Sequence, residues 1–376
     1  MEQRFKQALK ITGILFFFYL FLVSIKLMGV SFQMFGKEFA GQLISSYSNP
    51  FLGLFTGILA TSLVQSSSTT TSLVVGLVGG GAFPVEYAIP IIMGANLGTT
   101  ITNTLVSLSF VTRKEDFRRA FAGATVHDFF NMCTIIVFFP LELKFHFVQK
   151  SAFFLTRVFQ GAGGVTFTSP FKLAIDPAVH SVKFFLMKIL SLPEIVAGVI
   201  MLIVAVIVVI ACLIYLIKVL HSLTITRAMV FIDRYLFRND LTALFLGLCL
   251  TVAVQSSSVT TSLIVPLVGA GIISLRRCYP VTLGANLGTT FTAILASLAT
   301  VSMVDAQTVN TAGVTAAFAH LTFNVYGIAV FYPLRRLPIF CASRLADLAT
   351  RSKKWAAIFV FVVFFILPLL IIVVAK

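Results

Sequence analysis

The chain has 376 residues, of which 58% are hydrophobic and 11% are charged, and 39 of them are Phe. Because polar groups are too few to cover the surface of such a chain in water, this composition excludes a soluble globular protein and indicates a polytopic protein in a lipid bilayer. The formal net charge is +15, but the basic residues lie between the apolar runs rather than in one stripe, so we expect no nucleic-acid partner.

Apolar runs long enough to cross a bilayer, which takes about 20 helical residues, occur along the whole chain. They lie at 11–30, 84–110, 117–140, 193–220, 278–299, 310–333 and 355–375. Two further stretches, 51–82 and 241–273, each carry the sequence QSSS near their middle. Non-helical backbone at membrane depth needs protein or a water-filled cavity to supply its hydrogen bonds. We therefore predict a re-entrant helical hairpin for each of these stretches rather than a straight crossing.

The two hairpins belong to an internal repeat. QSSS at 65–68 is followed by GANLGTT at 94–100, and both motifs recur 190 residues later without an insertion between them. The likeness continues through His127 and Asn131, which match His320 and Asn324. The predicted segments are a first span with its loop (1–48), repeat 1 (49–142), a connecting segment (143–239), repeat 2 (240–335) and a C-terminal linker and span (336–376).

The distribution of Lys and Arg predicts a topology. If the basic clusters at 4–10, 113–119, 227–238, 276–277 and 335–354 are cytoplasmic, hairpin 1 enters from outside, hairpin 2 enters from inside, and residues 141–192 form an external loop. That loop is also basic, which a half-amphipathic stretch on the membrane would explain. The predicted fold is an all-α polytopic membrane protein with two inverted-topology repeats, each with a re-entrant hairpin, and peripheral transmembrane helices. Secondary transporters have this architecture.

The QSSS motifs are the predicted anion site. Serines at a helix break cap the helix that follows, and the exposed N–H groups and hydroxyls favour an anion without any fixed cation. The competing interpretation is that these hydroxyls only bond back to their own helix or join neighbouring helices. The predicted substrate-binding residues are Gln65, Ser66, Ser67, Ser68, Gln255, Ser256, Ser257 and Ser258.

GANLGTT and one buried acid are the predicted cation site. Neutral oxygens in a cage suit a hard cation such as sodium, although the glycines of the motif equally fit close helix packing. An acid inside the membrane is costly and usually functional, and Asp128 has Leu321 as its repeat partner. The alternative to a ligand role is a structural one, in which a His127–Asp128 pair locks two helices together. The predicted sodium ligands are Asn96, Thr99, Thr100, Asp128, Asn286, Thr289 and Thr290.

Both QSSS-to-GANLGTT units, the sequence FRRAFAGATVHDFFN at 117–131 and YPVTLG at 279–284 resemble the type II sodium-dependent phosphate cotransporter family. The resemblance implies uptake of inorganic phosphate driven by sodium, with the two hairpins at the substrate site. It also implies electrogenic transport of divalent phosphate, since Asp128 matches the acid of electrogenic members. Residues 141–192 contain neither Cys nor Asn, unlike the long external loop of animal members, which indicates a bacterial type in the inner, plasma membrane.

Three alternatives remain open from the residues themselves. A sodium-coupled carrier of another oxyanion or of a dicarboxylate would use a similar pair of hairpins. An enzyme with Ser66 or Ser256 as nucleophile is disfavoured, because a duplicated nucleophile has no catalytic rationale. A channel would conduct the anion without sodium coupling. We expect no cofactor apart from the co-transported sodium ions, and the sequence leaves the oligomeric state open.

Overall fold

The computed structural model describes residues 2–35, 49–82, 84–99, 101–108, 110–162, 170–235, 239–303 and 309–375. Helices form nearly all of this part of the chain, and the two-residue strands β1 (Ser302–Met303) and β2 (Val309–Asn310) pair antiparallel beside them. The predicted all-α class is confirmed.

Helices occur in each of the five sequence segments, whose bounds stay a prediction. The first span and repeat 1 contain α1 (Glu2–Met34), α2 (Pro50–Val64), α3 (Ser67–Gly79), α4 (Val85–Gly98), α5 (Ile101–Leu108) and α6 (Lys114–Phe145). The connecting segment contains α7 (Phe147–Ala162), α8 (Pro170–Phe184), a π-helical turn (Phe185–Ile189) and α9 (Glu194–Tyr235). Repeat 2 and the C-terminal segment contain α10 (Asp240–Val254), α11 (Ser257–Gly269), α12 (Leu275–Leu298), α13 (Ala312–Phe331), α14 (Arg336–Arg351), α15 (Lys354–Phe361), a π-helical turn (Val362–Ile366) and α16 (Leu367–Val374).

Among the described residues, five helical segments are long and apolar enough to cross a membrane. They are Lys114–Phe145, Glu194–Cys212, Leu275–Leu298, Ala312–Phe331 and Lys354–Val374, and each overlaps one predicted span. The first predicted span falls on the shorter apolar stretch Thr12–Met28 of α1. The chain is thus a multi-pass membrane protein. The predicted span 84–110 differs, because α4 ends at Gly98 and α5 starts at Ile101.

Residues 147–162, which the sequence places in an external loop, form α7. The chain turns at His146, whose φ is +51°, and the buried Glu142 carboxylate accepts a 2.7 Å hydrogen bond from Val148 N in the first turn of α7. A carboxylate at this position satisfies a backbone donor that the helix leaves unpaired. The buried hydroxyls of Thr156 and Thr315 then join α7 to α13 at 3.0 Å. The side of the membrane on which α7 lies stays a prediction.

The first arm of each hairpin packs within its own repeat through glycine. A Cβ on Gly94 of α4 would collide with the carbonyl oxygen of Leu54 in α2, and a Cβ on Gly284 of α12 would collide with that of Leu244 in α10. Small residues allow such close backbone approach in membrane helices, where van der Waals packing drives association. The glycines of GANLGTT therefore have the packing role that the sequence offered as one interpretation.

The second arm of each hairpin packs on the opposite repeat. Helix α3 packs on α12 and α13, and Gly79 lies against Thr300. In the same way α11 packs on α5 and α6, where Val265 joins a buried cluster with Ala120 and Ala124. Each repeat thus contributes an arm to the core of the other, and the two repeats form one interlocked unit.

Candidate functional site

Both QSSS motifs break the helix, as the sequence predicts. Gln65 ends α2 with φ +56° and Gln255 ends α10 with φ +59°, the left-handed region that side chains other than glycine rarely adopt. In each case the backbone N–H of the glutamine donates to a threonine carbonyl one turn earlier, Thr61 or Thr251, at 2.6 Å. The two breaks have the same conformation, so the duplication seen in the sequence is also a duplication of backbone geometry.

The serine after each glutamine caps the next helix. Ser66 Oγ accepts a hydrogen bond from Thr69 N at 3.2 Å, and Ser256 Oγ accepts one from Val259 N at 3.3 Å. A hydroxyl bridge of 2.9 Å ties the arms together in each hairpin, from Thr61 to Thr70 in the first and from Thr251 to Thr260 in the second. The break is therefore a rigid helix–turn–helix corner.

The cap of hairpin 1 has one hydrogen bond that hairpin 2 cannot form. Thr69 Oγ1 donates to Ser66 Oγ at 2.8 Å, in addition to the bond from Thr69 N. The residue of repeat 2 that matches Thr69 is Val259, which has no hydroxyl. The hydroxyl of Ser66 is therefore held by two donors, whereas that of Ser256 accepts only the backbone N–H of the matching residue.

The serines differ in burial along each motif. Ser67 and Ser257 begin α3 and α11 and are 3% exposed, as is Ser68, while Ser66, Ser256 and Ser258 are half-buried. Gln65 is exposed and Gln255 is half-buried. The sequence has no Lys or Arg between 49 and 111 or between 240 and 274. The corners thus offer hydroxyls and helix N-termini to a ligand with no cationic side chain in either hairpin.

One contact between the repeats lies at the tip of hairpin 2. Ser258 Oγ donates to the carbonyl oxygen of Thr99 at 3.4 Å. Thr99 is the C-cap of α4. One turn further along α11, Thr261 Oγ1 donates to Asn103 Oδ1 of α5 at 3.0 Å. The structure therefore brings part of the predicted anion site of repeat 2 onto part of the predicted cation site of repeat 1.

The threonines of GANLGTT use their hydroxyl protons locally. Thr99 Oγ1 donates to Ala95 O and Thr289 Oγ1 donates to Ala285 O, both at 3.2 Å, while Thr290 Oγ1 donates to Leu287 O at 2.7 Å. Each of these hydroxyls bonds back to a carbonyl of its own helix. The hydroxyl oxygens keep their acceptor lone pairs for a cation. Thr100 lies outside the described residues.

The asparagines of GANLGTT meet at the centre of a buried amide network. Asn96 Oδ1 accepts from His320 Nε2 at 3.1 Å, and Asn131 Nδ2 donates to Asn96 O at 2.9 Å. Asn286 Nδ2 donates to Asn131 Oδ1 at 3.0 Å and to Asn324 Oδ1 at 2.6 Å. These five side chains are at most 2% exposed and connect α4, α6, α12 and α13 across the two repeats.

Asn131, Asn324 and His320 are thus part of the site, although the predicted set omits them. Their signal was present, because the repeat pairs Asn131 with Asn324 and His127 with His320. Buried polar networks that are satisfied rigidify a core and specify one arrangement. The network fixes how the two repeats face one another around the corners.

Asp128 is a predicted ligand whose carboxylate has no protein partner in the described part of the chain. Its side chain is fully buried on α6, and neither carboxylate oxygen has a hydrogen-bond partner among the described residues. The predicted alternative of a locking hydrogen bond between His127 and Asp128 has no support in the geometry. Buried polar atoms normally find a partner, so these two oxygens are an exception, and their role as a sodium ligand stays a prediction.

The glutamine of hairpin 2 is held by two side-chain contacts. Thr292 Oγ1 donates to Gln255 Oε1 at 2.8 Å, and Gln255 Nε2 donates to Val252 O at 2.7 Å. Thr292 lies on α12, the helix that also carries the second GANLGTT motif. The corner of hairpin 2 is therefore tied to its own GANLGTT helix through a side chain. The matching residue of repeat 1 is also a threonine, Thr102, whose side chain lies outside the described ones.

Comparison with known proteins gives one consistent result. The model of the Na+/Pi-cotransporter family matches residues 20–168 and 208–369. The sodium-dependent phosphate transport protein 2B of Homo sapiens is 34% identical, over 94% of this chain and 63% of its own length. Protein 2B of Pongo abelii is 33% identical over 94% of this chain and 63% of its length. Protein 2A of Mus musculus is 35% identical over 97% of this chain and 67% of its length.

This chain therefore spans 63% to 67% of the length of these curated relatives. No solved structure matches it significantly.

Proposed function

Because the chain belongs to the Na+/Pi-cotransporter family, we propose that it is a secondary active symporter that imports inorganic phosphate together with sodium ions. The names of its relatives are those of transporters, not of enzymes. The observation that carries the proposal is the matched pair of capped corners at Gln65–Ser66 and Gln255–Ser256. For its location we propose the plasma membrane, which is the inner membrane of a bacterial cell.

Phosphate binds at the two corners. The QSSS residues of both motifs supply hydroxyl donors and the first N–H groups of α3 and α11. Because these donors carry no full positive charge, they hold a divalent anion only while cations are bound beside it. The same property lets the anion leave once the cations leave. Neutral donors thus couple phosphate affinity to sodium occupancy.

Sodium binds beside the corners. The unpartnered Asp128 carboxylate supplies the charge for one ion, and the amide and hydroxyl oxygens of GANLGTT supply neutral ligands for sodium. An unpaired charge at membrane depth costs roughly 3 kcal/mol, so Asp128 favours the state in which a cation is bound. Two sodium ions balance the charge of HPO4 2−, and a third ion held by the Asp128 carboxylate gives the transported set one net positive charge, so uptake is electrogenic.

Alternating access uses the exchange of hairpin arms. Since α3 packs on repeat 2 and α11 packs on repeat 1, a shift of one repeat against the other moves both corners together, and it requires the amide network between the repeats to rearrange. We propose that the repeats are inverted and that the hairpins are re-entrant, entering from opposite faces. Cysteines introduced at Lys114 and Lys172 should then react with an impermeant thiol reagent from opposite sides. Labelling of both from the same side would contradict the inverted arrangement.

The decisive experiment is tracer uptake by the purified chain in proteoliposomes. We expect inward phosphate flux with an inward sodium gradient, no flux when potassium replaces sodium, and inside-positive charge movement with phosphate. Unlabelled sulfate and succinate serve as competitors. If either of them is taken up in place of phosphate, the carrier belongs to the alternative class of sodium-coupled oxyanion or dicarboxylate carriers. Anion flux that is independent of sodium would identify a channel.

A further inference from the structure

A cavity of about 250 Å³ lies away from the two corners, where the start of α12 meets the start of α14. Its lining is formed by three guanidinium groups and two apolar side chains, namely Arg276, Arg335, Arg336, Ile339 and Phe340. Three like charges around one cavity repel one another unless an anion lies between them. The composition of the wall therefore points to an anionic ligand.

Among the described residues, the Asp240 carboxylate forms an ion pair with one of these arginines, Arg335, and neutralises its charge. Arg335 Nη1 donates to Asp240 Oδ2, and this contact holds the pKa of the Asp240 carboxyl below its usual value. Tyr332 Oη donates to the same carboxylate oxygen at 3.2 Å. Arg276 and Arg336 are exposed and form no ion pair within the described part of the chain. The cavity thus keeps an excess of about two positive charges.

The cavity lies at the surface of the bilayer. Helix α14 joins α13 to α15, and both flanking segments are candidate spans, so α14 lies on one side of the bilayer. Its buried face consists of small residues such as Ala342 and Ala346, while Leu337 and Phe340 are 49% and 56% exposed. Basic heads above exposed apolar side chains are typical of a helix in the interfacial region.

We infer that this cavity binds the headgroup of an anionic phospholipid. The phosphodiester accepts charge-assisted hydrogen bonds from Arg276 and Arg336, which match phosphate oxygens in pairs. The acyl chains leave the cavity along Leu337 and Phe340 toward the bilayer. Basic pockets between transmembrane helices at the cytoplasmic surface bind anionic headgroups in this manner. The inference concerns a binding site that transport of phosphate does not require.

Free phosphate shares the headgroup chemistry and is the competing occupant. Two features favour the lipid. The cavity has Ile339 and Phe340 in its wall, which a fully hydrated inorganic anion would leave unused, and the adjoining exposed side chains are apolar. Bound lipid would also hold α14 to the start of α12, beside hairpin 2.

The test is lipid retention measured by native mass spectrometry on the full chain. Protein purified from vesicles of equimolar phosphatidylcholine and phosphatidylglycerol should retain phosphatidylglycerol in preference to phosphatidylcholine. The double variant Arg276→Gln with Arg336→Gln should lower that retention on the order of tenfold. Arg335 is left in place because of its ion pair with Asp240. The matched control, Arg113→Gln with Arg351→Gln, removes the same charge from exposed positions outside the cavity and should retain lipid as the parent does.

Two results would overturn the inference. Equal loss in the control variant would mean that phosphatidylglycerol responds to overall charge. Displacement of phosphatidylglycerol from the parent protein by inorganic phosphate would mean that the cavity is a site for a free anion. Phosphate uptake by the double variant, measured in phosphatidylcholine vesicles, should match that of the parent protein in the same vesicles, which separates this inference from the proposed transport function.

Discussion

The heptapeptide GANLGTT ends a helix in repeat 1 and lies inside a helix in repeat 2. Helix α4 ends at Gly98 with Thr99 as its C-cap, whereas α12 continues through Thr289 and Thr290 to Leu298. The seven residues are identical, but the residues that follow them differ, with Ile101 and Asn103 in place of Phe291 and Ala293. The carbonyl of Thr99 accepts the Ser258 hydroxyl from the other repeat. The end of α4 thus lies against a serine of the opposite hairpin.

The comparison separates a symmetric scaffold from a few asymmetric polar groups. The left-handed glutamines, the 2.9 Å hydroxyl bridges and the glycine contacts are the same in both repeats. Asp128 matches Leu321 in the repeat alignment, and Thr69 matches Val259. The shared glutamines, bridges and glycine contacts position the hairpins. The residues that differ give each repeat its own polar groups.

The largest effect is expected at the shared glycines. Gly94→Ala and Gly284→Ala each place a methyl against a backbone carbonyl that cannot move aside, so each should destabilise the fold by about 3 kcal/mol or prevent expression. Gly123→Ala is the control, because its methyl would meet the Val268 side chain at 3.1 Å, which can shift. Thermal unfolding in detergent measures the three variants. A clearly milder effect at one of the two glycines would show that the two glycine contacts are not equivalent in the two repeats.

Loss of coupled charge is expected at Asp128. Asp128→Gly should still move phosphate with sodium, but the net charge per phosphate should fall toward zero and the sodium dependence should become less steep, because one cation loses its carboxylate. Leu321→Gly, at the matched position of repeat 2, should leave the ratio unchanged. Current and tracer flux recorded together give this ratio. If Asp128→Gly keeps the parent ratio, the acid has a structural role only.

A smaller effect is expected for phosphate affinity. Ser67→Ala and Ser257→Ala each remove a donor at the start of a hairpin arm and should raise the half-saturating phosphate concentration about tenfold or more, as a hydrogen bond to a charged group contributes roughly 1.5 to 3 kcal/mol. Ser62→Ala on α2 is the matched control, since its buried hydroxyl donates to Ile58 O of its own helix at 2.7 Å. Unchanged affinity in both corner variants would place the anion elsewhere.

The smallest effect concerns the hydroxyl that only hairpin 1 has at its cap. Thr69→Val installs the residue type of repeat 2 and removes the hydrogen bond to Ser66, which should lower the free energy of unfolding by about 1 kcal/mol. Thr61→Val and Thr251→Val break bridges of equal length and should cost the same as each other. Differential scanning calorimetry compares them. A neutral Thr69→Val would show that the cap of hairpin 1 needs no second donor.

Local chemistry explains which features could be predicted. The helix breaks and their serine caps follow from chemistry that acts within a few residues, and the structure confirms them. The left-handed conformation of Gln65 and Gln255 was not predicted. The packing role of Gly94 and Gly284 was one of two interpretations, and the collision with a backbone carbonyl confirms it. The use of these residues as ligands stays a prediction.

Tertiary context explains what could not be predicted. At the end of α4 the Thr99 carbonyl accepts a hydroxyl from the other repeat, and the amide network of Asn96, Asn131 and Asn286 depends on four helices that meet in space. The helix α7 depends on a cap from Glu142 and on a face of α13. A single sequence shows which residues of the two repeats match, but it does not show which of them come into contact in the fold.

The exchange of hairpin arms has a consequence for how such a protein could arise. A chain with one repeat would keep its first arm, packed by glycine on its own helix, but its second arm would lose the contacts that the opposite repeat supplies to α3 and α11 here. Two copies would bury that arm by exchanging it between the chains, as domain-swapped dimers do. A pair of identical chains is therefore the simplest stable ancestor of the two halves, and gene fusion would make the trade permanent.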